Sequence, residues 1–195
     1  LVYKELSNSE IYVASSIKVA EAAKVMENAQ RDINIAFMNE ISKIFNSLGL
    51  NTTEVLRAAR TKWNFLPFHP GFVGGHCIGV DPYYLTFKAK EVGIFPQLML
   101  AAREVNEGLK GRVKQEILKT IINSKDKSVP KILFMGATFK PNVPDFRNSK
   151  ILELVEELAD FDFQIDVVDP YFASKIIKND ITFLPHLRNE CRYHL

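Results

Sequence analysis

The sequence has little of what would indicate a secreted, membrane or nucleic-acid-binding protein. Its 195 residues include only two cysteines, Cys77 and Cys191, and no C-x-x-C pair, so a disulfide framework is not expected. No apolar run reaches the ~18 residues that a membrane-spanning helix needs, and no signal-peptide pattern is present. The formal net charge of +2 is too small to favour nucleic acid or a membrane surface as a partner. These absences predict a cytoplasmic globular protein.

Proline and glycine are also absent from one long stretch, Ile17 to Leu48, which Gly49 follows. Apolar residues recur there with helical spacing, as at Val19, Met26 and Phe37. The pattern predicts one helix of about 45 Å, at ~1.5 Å per residue, which is too long for the core of a small domain. Apolar surface is then left over on this helix, and we expect a homodimer through it.

Shorter patterns divide the rest of the chain. We predict helices over 55–59, 82–91, 97–123, 151–159 and 173–178, strands over 131–135, 164–168 and 181–184, and a strand or extended lead-in over 10–13. The alternation of strands and helices after the polar stretch 124–130 predicts a parallel sheet with crossover helices. The fold class is therefore a mainly α domain with long helices, followed by an α/β domain.

The chain is expected to be a fragment of a longer protein. Its first residue is leucine, and three strands are fewer than the five or six of a doubly wound sheet. We assign residues 1–14 to a remnant or linker of a preceding domain, 15–124 to the helical domain, and 125–195 to a truncated α/β domain.

The most informative loop surrounds Cys77. Gly74-Gly75 precedes it, and such a pair lets the backbone come close to a ligand because no Cβ intervenes. Asp81-Pro82 follows it and predicts a helix start with Asp81 as the N-cap. A helix N-terminus favours a thiolate, so Cys77 is a candidate nucleophile. The alternative is a small, buried apolar side chain.

Lys24 and Asn28 lie four residues apart and therefore on one face of the long helix. Together they could stabilise an oxyanion, or they could form a solvated edge of the helix. Asp81 could hold a water molecule near Cys77 as well as cap a helix.

The loop after the first strand carries Lys140 and Arg147 next to a helix start, a combination suited to phosphate. The sequence from Gly136 to Lys140 is not a G-x-G-x-x-G fingerprint, so we do not expect the nicotinamide site here, although Asp169 ends a strand as a ribose-binding acid would. No metal site is expected, because the four histidines lack ligand spacing.

Four motifs occur in a fixed order: Glu21-Ala-Ala-Lys24-Val-Met-Glu-Asn28, Asn39-Glu40, Gly74-Gly75-His-Cys77-x-x-x-Asp81-Pro82, and Phe139-Lys140-x-x-x-x-Asp145-x-Arg147. In this order and spacing they resemble the nucleotide-sugar 6-dehydrogenases, the UDP-glucose and GDP-mannose dehydrogenase family. The resemblance covers about 11–170. The segment Thr61-Lys-Trp-Asn-Phe-Leu-Pro-Phe most resembles the corresponding sequence in the branch of this family that acts on UDP-N-acetylhexosamines in surface-polysaccharide synthesis.

This resemblance implies three domains: a dinucleotide-binding domain for NAD, a central helical dimerisation domain, and a Rossmann-like domain for the nucleotide of the sugar. The chain would hold the second and part of the third, with NAD bound mainly by a domain that it does not contain. The implied reaction is a two-step oxidation at C6 of the sugar through a cysteine thioester.

The resemblance also implies a role for each matching residue. Cys77 is the nucleophile, Lys24 and Asn28 stabilise oxyanions, Asp81 acts on water, and Arg147 reaches the cofactor. The residues implied to bind the UDP-sugar substrate are Leu66, Phe68, His69, Gly74, Gly75 and Lys140.

Three classes of function compete: part of such an enzyme, a nucleotide-sugar-binding dimerisation module without catalysis, and a purely structural dimer. The four catalytic candidates favour the first. The chain alone is predicted to be inactive, because it has no hydride-acceptor site. UDP-glucose and GDP-mannose are the alternative substrates.

Overall fold

The computed structural model describes residues 2–7, 10–125, 128–178 and 181–187. The helical first half consists of α1 Val2–Leu6, α2 Ile17–Ser47, α3 Thr52–Ala59, α4 Asp81–Glu91 and α5 Gln97–Asn123. The second half consists of β1 Lys131–Met135, α6 Lys150–Ala159, β2 Gln164–Val168, β3 Ile176–Lys178 and β4 Ile181–Leu184. The predicted fold class is confirmed. None of the described helices is long and apolar enough to cross a membrane.

The long helix α2 buries a narrow face of small and polar side chains. Its start is capped by Ser16, whose hydroxyl oxygen accepts from the N–H of Val19 at 3.2 Å. The buried positions include Asn28, Asp32 and Asn39, and the helix packs on α4 and α5. The apolar positions of α2 are not all buried in the single chain. Many of them stay exposed: Val19, Met26, Phe37 and Ile44.

A polar layer lies between α2 and α5. Arg103 donates from Nη1 to Oδ1 of Asp32 at 2.7 Å, and both side chains are about 2% exposed or less. Asn106 Nδ2 also donates to Asp32 Oδ1 at 2.7 Å, while its own Oδ1 accepts from Asn39 Nδ2 at 2.9 Å. Burial raises the pKa of the Asp32 carboxyl, and Arg103 and Asn106 offset part of that shift. Every member therefore depends on its neighbours for a partner.

The sheet is mixed, with strand order β1-β2-β4-β3. β1 runs parallel to β2 and β2 parallel to β4, as predicted, but β3 runs antiparallel to β4. The predicted helix over 173–178 was wrong, since residues 176–178 form β3. Ile176 and Ile177 are apolar and β-branched, which favours an extended edge strand over one helical turn. The lead-in over 10–13 forms no strand, and α1 was not predicted.

The apolar core belongs to the second half and reaches into the first. Its fully buried members are Ala137, Leu154, Val155, Leu158, Ile165, Val167 and Ile181. Val113 and Ile117 of α5 pack against this core, as does Phe72 from the loop before Cys77. Lys110 and Lys114 of α5 also reach Glu153 and Glu157 of α6, at 2.8 and 3.0 Å. Helix α5 thus contacts both halves, and Phe72 packs the loop before Cys77 against the core of the second half.

Candidate active site

Cys77 is exposed, which excludes the interpretation of a buried apolar side chain. It lies in a run of turns over 75–80 that leads directly into α4. Its carbonyl accepts from the N–H groups of Val80 and Asp81 at 3.0 and 2.8 Å. These two bonds tie the cysteine backbone to the first turn of α4 and leave the thiol free to meet a ligand.

Asp81 is the first residue of α4, and Val80 is the N-cap, so the predicted capping role of Asp81 was wrong. Because the Cys77 carbonyl already accepts the N–H of Asp81, the chain turns before this residue. The carboxylate is then available for another contact. Asn28, which is 2% exposed, donates from Nδ2 to Oδ2 of Asp81 at 2.5 Å. The structure therefore brings two of the predicted catalytic residues together.

Lys24 lies one turn before Asn28 on α2, but its side chain points to a different partner. Its Nζ contacts Oε2 of Glu27 at 2.9 Å, and the side chain is 61% exposed. Glu27 also pairs with Arg31, so the three residues form a charged strip along the helix. The joint oxyanion role of Lys24 and Asn28 stays a prediction.

Gly74 and Gly75 face the second half of the chain. A Cβ on Gly74 would lie 2.7 Å from the carbonyl oxygen of Asn148, and one on Gly75 would lie 2.7 Å from the ring of Phe139. Gly75 also has φ +79°, which disfavours any side chain. The structure thus gives both glycines a packing role. Their predicted contact with substrate stays a prediction.

The loop after β1 approaches the cysteine loop through charged and aromatic groups. Arg147 donates from Nε and Nη2 to the carboxylate of Asp145 at 3.0 and 2.8 Å. His76 Nε2 lies 3.8 Å from Asp145 Oδ2, and its ring stacks on Phe139. Lys140 also lies over the Phe139 ring, with Nζ 5.8 Å from its centroid. The predicted ligands Lys140 and Arg147 therefore belong to the same loop that packs on Gly75.

The Asp145 carboxyl should stay ionised at acid pH values at which an ordinary aspartate is protonated. Its hydrogen bonds to Arg147 lower the pKa of the carboxyl to about 2. The pKa of Asp145 in the folded chain lies below its pKa in the unfolded chain. The Asp145–Arg147 pair therefore stabilises the fold fully at pH values above the unfolded pKa, and this contribution is lost as the pH falls through about 2. Carboxyl NMR should show Asp145 ionised at about pH 3, and R147Q should move its midpoint part of the way to the ordinary value of about 3.9. The shift is only partial because the backbone N–H of residue 147 still donates to Oδ1 of Asp145. Identical titrations in both proteins would contradict the pairing, and K140Q is the matched control.

The remaining predicted substrate residues lie in the loop between α3 and the cysteine turn. Leu66 is 54% exposed, and Phe68 is half-buried. His69 contacts the guanidinium of Arg60 and lines a cavity of about 480 Å³ that also includes Arg57. Leu66 and His69 are thus exposed, whereas Phe68 is half-buried. The contact of these three residues with substrate stays a prediction.

The turn after β1 does not fit a dinucleotide. Asp169 is buried, and its Oδ2 accepts from the N–H groups of Ala137 and Thr138 at 2.8 and 3.3 Å. Its Oδ1 accepts from the N–H of Tyr171 at 2.9 Å. The backbone donors that a pyrophosphate would need are thus already used, and Asp169 has a structural role rather than a ribose-binding one. Among the described residues, no cluster of His, Cys, Asp or Glu could hold a metal ion.

Two residues that hold the segment before Cys77 were not among the predicted site residues. Asn39 was noted only as part of a motif, yet it bonds to both backbone groups of Gly71. Asn148 bonds to both backbone groups of Gly75. Each lies far from the loop in sequence, so a residue pattern carries no sign of the contact. The one available signal was an asparagine shortly before the predicted helix over 151–159, a position where asparagine commonly serves as a cap.

Comparisons with known proteins match both halves. Residues 18–108 match the UDP-glucose/GDP-mannose dehydrogenase family, central domain, and residues 133–193 match the UDP binding domain of that family. The chain is 48% identical over 185 residues to a UDP-N-acetyl-D-glucosamine 6-dehydrogenase of Pseudomonas aeruginosa, covering 94% of this chain and 44% of that protein.

More distant relatives agree with this match. A UDP-N-acetyl-D-mannosamine dehydrogenase of Methanocaldococcus jannaschii is 36% identical over 172 residues, which are 87% of this chain and 38% of that protein. Among solved structures, the UDP-N-acetyl-mannosamine dehydrogenase Cap5O of S. aureus is similar with a TM-score of 0.74 at 31% identity. That likeness covers 92% of this chain and 42% of the other. The chain therefore spans less than half the length of these relatives.

Proposed function

The chain belongs to the UDP-glucose/GDP-mannose dehydrogenase family, and from this premise we propose that it is the central and UDP-binding part of a UDP-N-acetylhexosamine 6-dehydrogenase. The reaction is the oxidation of the C6 alcohol of the sugar to a carboxylate, through an aldehyde and a thioester on Cys77. The domain division at 124/125 is part of the proposal. The observation that carries it is the exposed Cys77, whose carbonyl accepts the N–H of Asp81, together with the bond from the buried Asn28 to the Asp81 carboxylate.

The residues of this chain have distinct parts in that chemistry. Cys77 adds to the C6 aldehyde as a thiolate, since a thiolate is the reactive form. Asn28 uses one N–H on Asp81 at 2.5 Å and keeps its second N–H for the oxygen at C6. Asp81, oriented by that bond, holds the water that releases the acid. Lys24 supplies positive charge to the same oxygen once it exchanges Glu27 for substrate.

The nucleotide side of the substrate is assigned to the loop after β1. Lys140 contacts phosphate or nucleotide from its place over Phe139. Leu66, Phe68 and His69 line the path of the sugar, with Gly74 and Gly75 at its end. The N-acetylhexosamine is favoured over glucose or mannose because relatives named for UDP-N-acetylhexosamines reach 48% identity.

NAD is the hydride acceptor that the family resemblance implies. The turn after β1 does not supply its phosphate-binding donors, because Asp169 uses the N–H groups of Ala137 and Thr138. Arg147 is the one residue assigned to the cofactor, and it lies exposed at the edge of the loop with Asp145 as its partner.

A homodimer through α2 is the proposed assembly. Apolar side chains along this helix remain exposed in the single chain, including Met26 at 62% and Phe37 at 55%. Burying such groups against a second copy would remove apolar surface from water and stabilise the pair.

Protection of Cys77 from alkylation tests the proposal. Iodoacetamide labelling should be read by peptide mass spectrometry, which separates Cys77 from Cys191. UDP-N-acetylglucosamine at about ten times its Kd should slow Cys77 labelling about tenfold, since about a tenth of the sites then stay free. K140A should weaken this protection, whereas K88A, which removes an exposed lysine paired with Glu91, should not.

Two outcomes would contradict the proposal. Equal labelling of Cys77 with and without nucleotide sugar would remove the substrate site. Equal protection by UDP-glucose, GDP-mannose and UDP-N-acetylglucosamine would remove the hexosamine assignment and leave only a general nucleotide site.

A further inference from the structure

The segment from Gly71 to Gly75 is held at both ends by asparagines from different parts of the chain. Asn39 of α2 donates from Nδ2 to the carbonyl of Gly71 at 3.0 Å, and its Oδ1 accepts the Gly71 N–H at 2.8 Å. Asn148 donates from Nδ2 to the carbonyl of Gly75 at 3.4 Å, and its backbone carbonyl accepts the Gly75 N–H at 3.3 Å. Cys77 comes two residues after the second of these attachments.

The first attachment is rigid because Asn39 is itself fixed. Asn39 is 1% exposed, and its Nδ2 also donates to Oδ1 of Asn106 at 2.9 Å. Asn106 in turn bonds to Asp32, and Arg112 donates to the carbonyl of Asn39 at 3.1 Å. The polar layer between α2 and α5 thus holds the amide in one orientation. The Asn39 amide donates to and accepts from one glycine at once, whereas an ionised aspartate only accepts and would lose the donor.

The second attachment depends on an uncommon backbone conformation. Asn148 has φ +54°, and asparagine tolerates this left-handed region better than most residues. In this conformation the carbonyl oxygen of Asn148 faces Gly75. A Cβ on Gly74 would lie 2.7 Å from this oxygen. The next residue, Ser149, is buried and caps α6. Asn148 is therefore anchored by the helix that packs on the sheet.

We propose that Asn39 and Asn148 are positioning residues, which set the thiol of Cys77 on the line of attack to C6 of the bound sugar. The inference rests on the proposed role of Cys77 as the nucleophile. With Gly71 held by Asn39, Gly75 held by Asn148 and the Cys77 carbonyl held by α4, only His76 lies between the last two attachments. Loosening either asparagine lets the thiol drift, while Cys77 stays exposed and chemically intact.

The test uses a reaction that needs no hydride acceptor. A UDP-N-acetylhexosamine with an aldehyde at C6 adds the Cys77 thiol: the S–C6 bond forms, the C6=O double bond opens, and the thiol proton goes to O6. A ¹³C label at C6 reports the thiohemiacetal by NMR, and C77S shows the background. The variants are N148G, which keeps the left-handed backbone but loses the Nδ2 donor, and N39D.

N148G should form the adduct about tenfold more slowly or more, because a displacement of about 1 Å costs up to about a hundredfold. Binding of unmodified UDP-N-acetylhexosamine and the rate of iodoacetamide labelling should both stay within about twofold, since neither needs the line of attack. N142G is the matched control, because Asn142 also has positive φ, at +61°, in the same loop and should leave the adduct rate unchanged. N39D should behave like N148G.

The outcomes separate the two proposals. If the wild-type chain forms no adduct, the proposed function fails and the positioning role fails with it. If the wild type forms the adduct and N148G forms it equally fast, only the positioning role is overturned. If iodoacetamide labelling falls as much as adduct formation, the asparagine affects the thiol generally and does not set its direction. If N39D does not fold, N148G decides alone.

Discussion

Replacing Arg103 with methionine should lower the free energy of unfolding by about 3–5 kcal/mol at neutral pH, because it leaves a buried carboxylate without its cation. Arg103 and Asp32 are almost fully buried, with 2.7 Å between Nη1 and Oδ1. Burial already raises the pKa of Asp32, and Arg103 is the strongest group that opposes this shift. Methionine keeps most of the side-chain volume, so the loss reports the charge rather than a cavity.

The pH dependence of R103M follows from the sign of the Asp32 shift. Where the folded pKa lies above the unfolded one, the folded state binds more protons between the two values, and stability falls as the pH rises through that window. Without Arg103 the folded pKa of Asp32 rises further, so the pH range between the unfolded and folded pKa values extends upward. The loss of unfolding free energy in R103M should therefore be smallest near pH 4 and largest near pH 7, with each pH good to about one unit. Urea unfolding followed by circular dichroism at both ends of this range measures it.

A double variant provides the control for this prediction. Asp32→Asn with Arg103→Met keeps an acceptor for Asn106, which bonds to Oδ1 at 2.7 Å, and removes both charges. It should recover most of the stability that R103M loses, since neutral replacements of a buried pair are often well tolerated. R103M as stable as the wild type at neutral pH, or a double variant no better than R103M, would contradict the assignment.

Gly75→Ala should destabilise the chain by about 2–5 kcal/mol, from about 1–2 kcal/mol for the left-handed backbone and about 1–3 kcal/mol for overpacking. The new Cβ would lie 2.7 Å from the ring of Phe139 at φ +79°. Gly93 has the same φ of +79° with nothing within 4 Å of its Cβ position. G93A therefore measures the backbone cost alone, and the difference between the two variants gives the steric part.

Phe139 supplies the second half of this test. Adding F139A to G75A should recover the steric part, so a double-mutant cycle should show coupling of about 1 kcal/mol or more. Thermal or urea unfolding of the four proteins is sufficient. Equal losses in G75A and G93A, together with no coupling, would show that Phe139 does not press on Gly75.

Regular elements were predicted well from the sequence because local periodicity determines them. α5 begins at Gln97 and ends at Asn123 as predicted, and three strands have their predicted bounds. Asn51 caps α3, and its Oδ1 accepts from the N–H of Thr53 at 2.9 Å. The error at β3 has the opposite origin. A three-residue edge strand is decided by pairing with β4, and that pairing cannot be seen in a local pattern.

The candidate site was predicted in its parts but not in its connections. Cys77, Asn28 and Asp81 were identified by residue type and spacing, yet the Asn28–Asp81 bond joins residues 53 positions apart. The roles of Asn39 and Asn148 depend on which backbone groups the fold brings next to their amides. Hydrogen bonding of one asparagine to a distant glycine leaves no periodicity, so sequence reasoning had no means to find it.

The attachment of Gly75 to Asn148 also sets an order of events during synthesis, because these residues are 73 positions apart. Chains grow at about 5–20 residues per second, so Asn148 is made about 4–15 s after Gly75. During that interval the residues of α2 have already been synthesised, including Asn28, the partner of Asp81. The glycine turn still lacks its contact with Asn148. The cysteine-bearing turn is thus synthesised before the loop that holds it, and its contact with Asn148 can form only after residue 148 has been made.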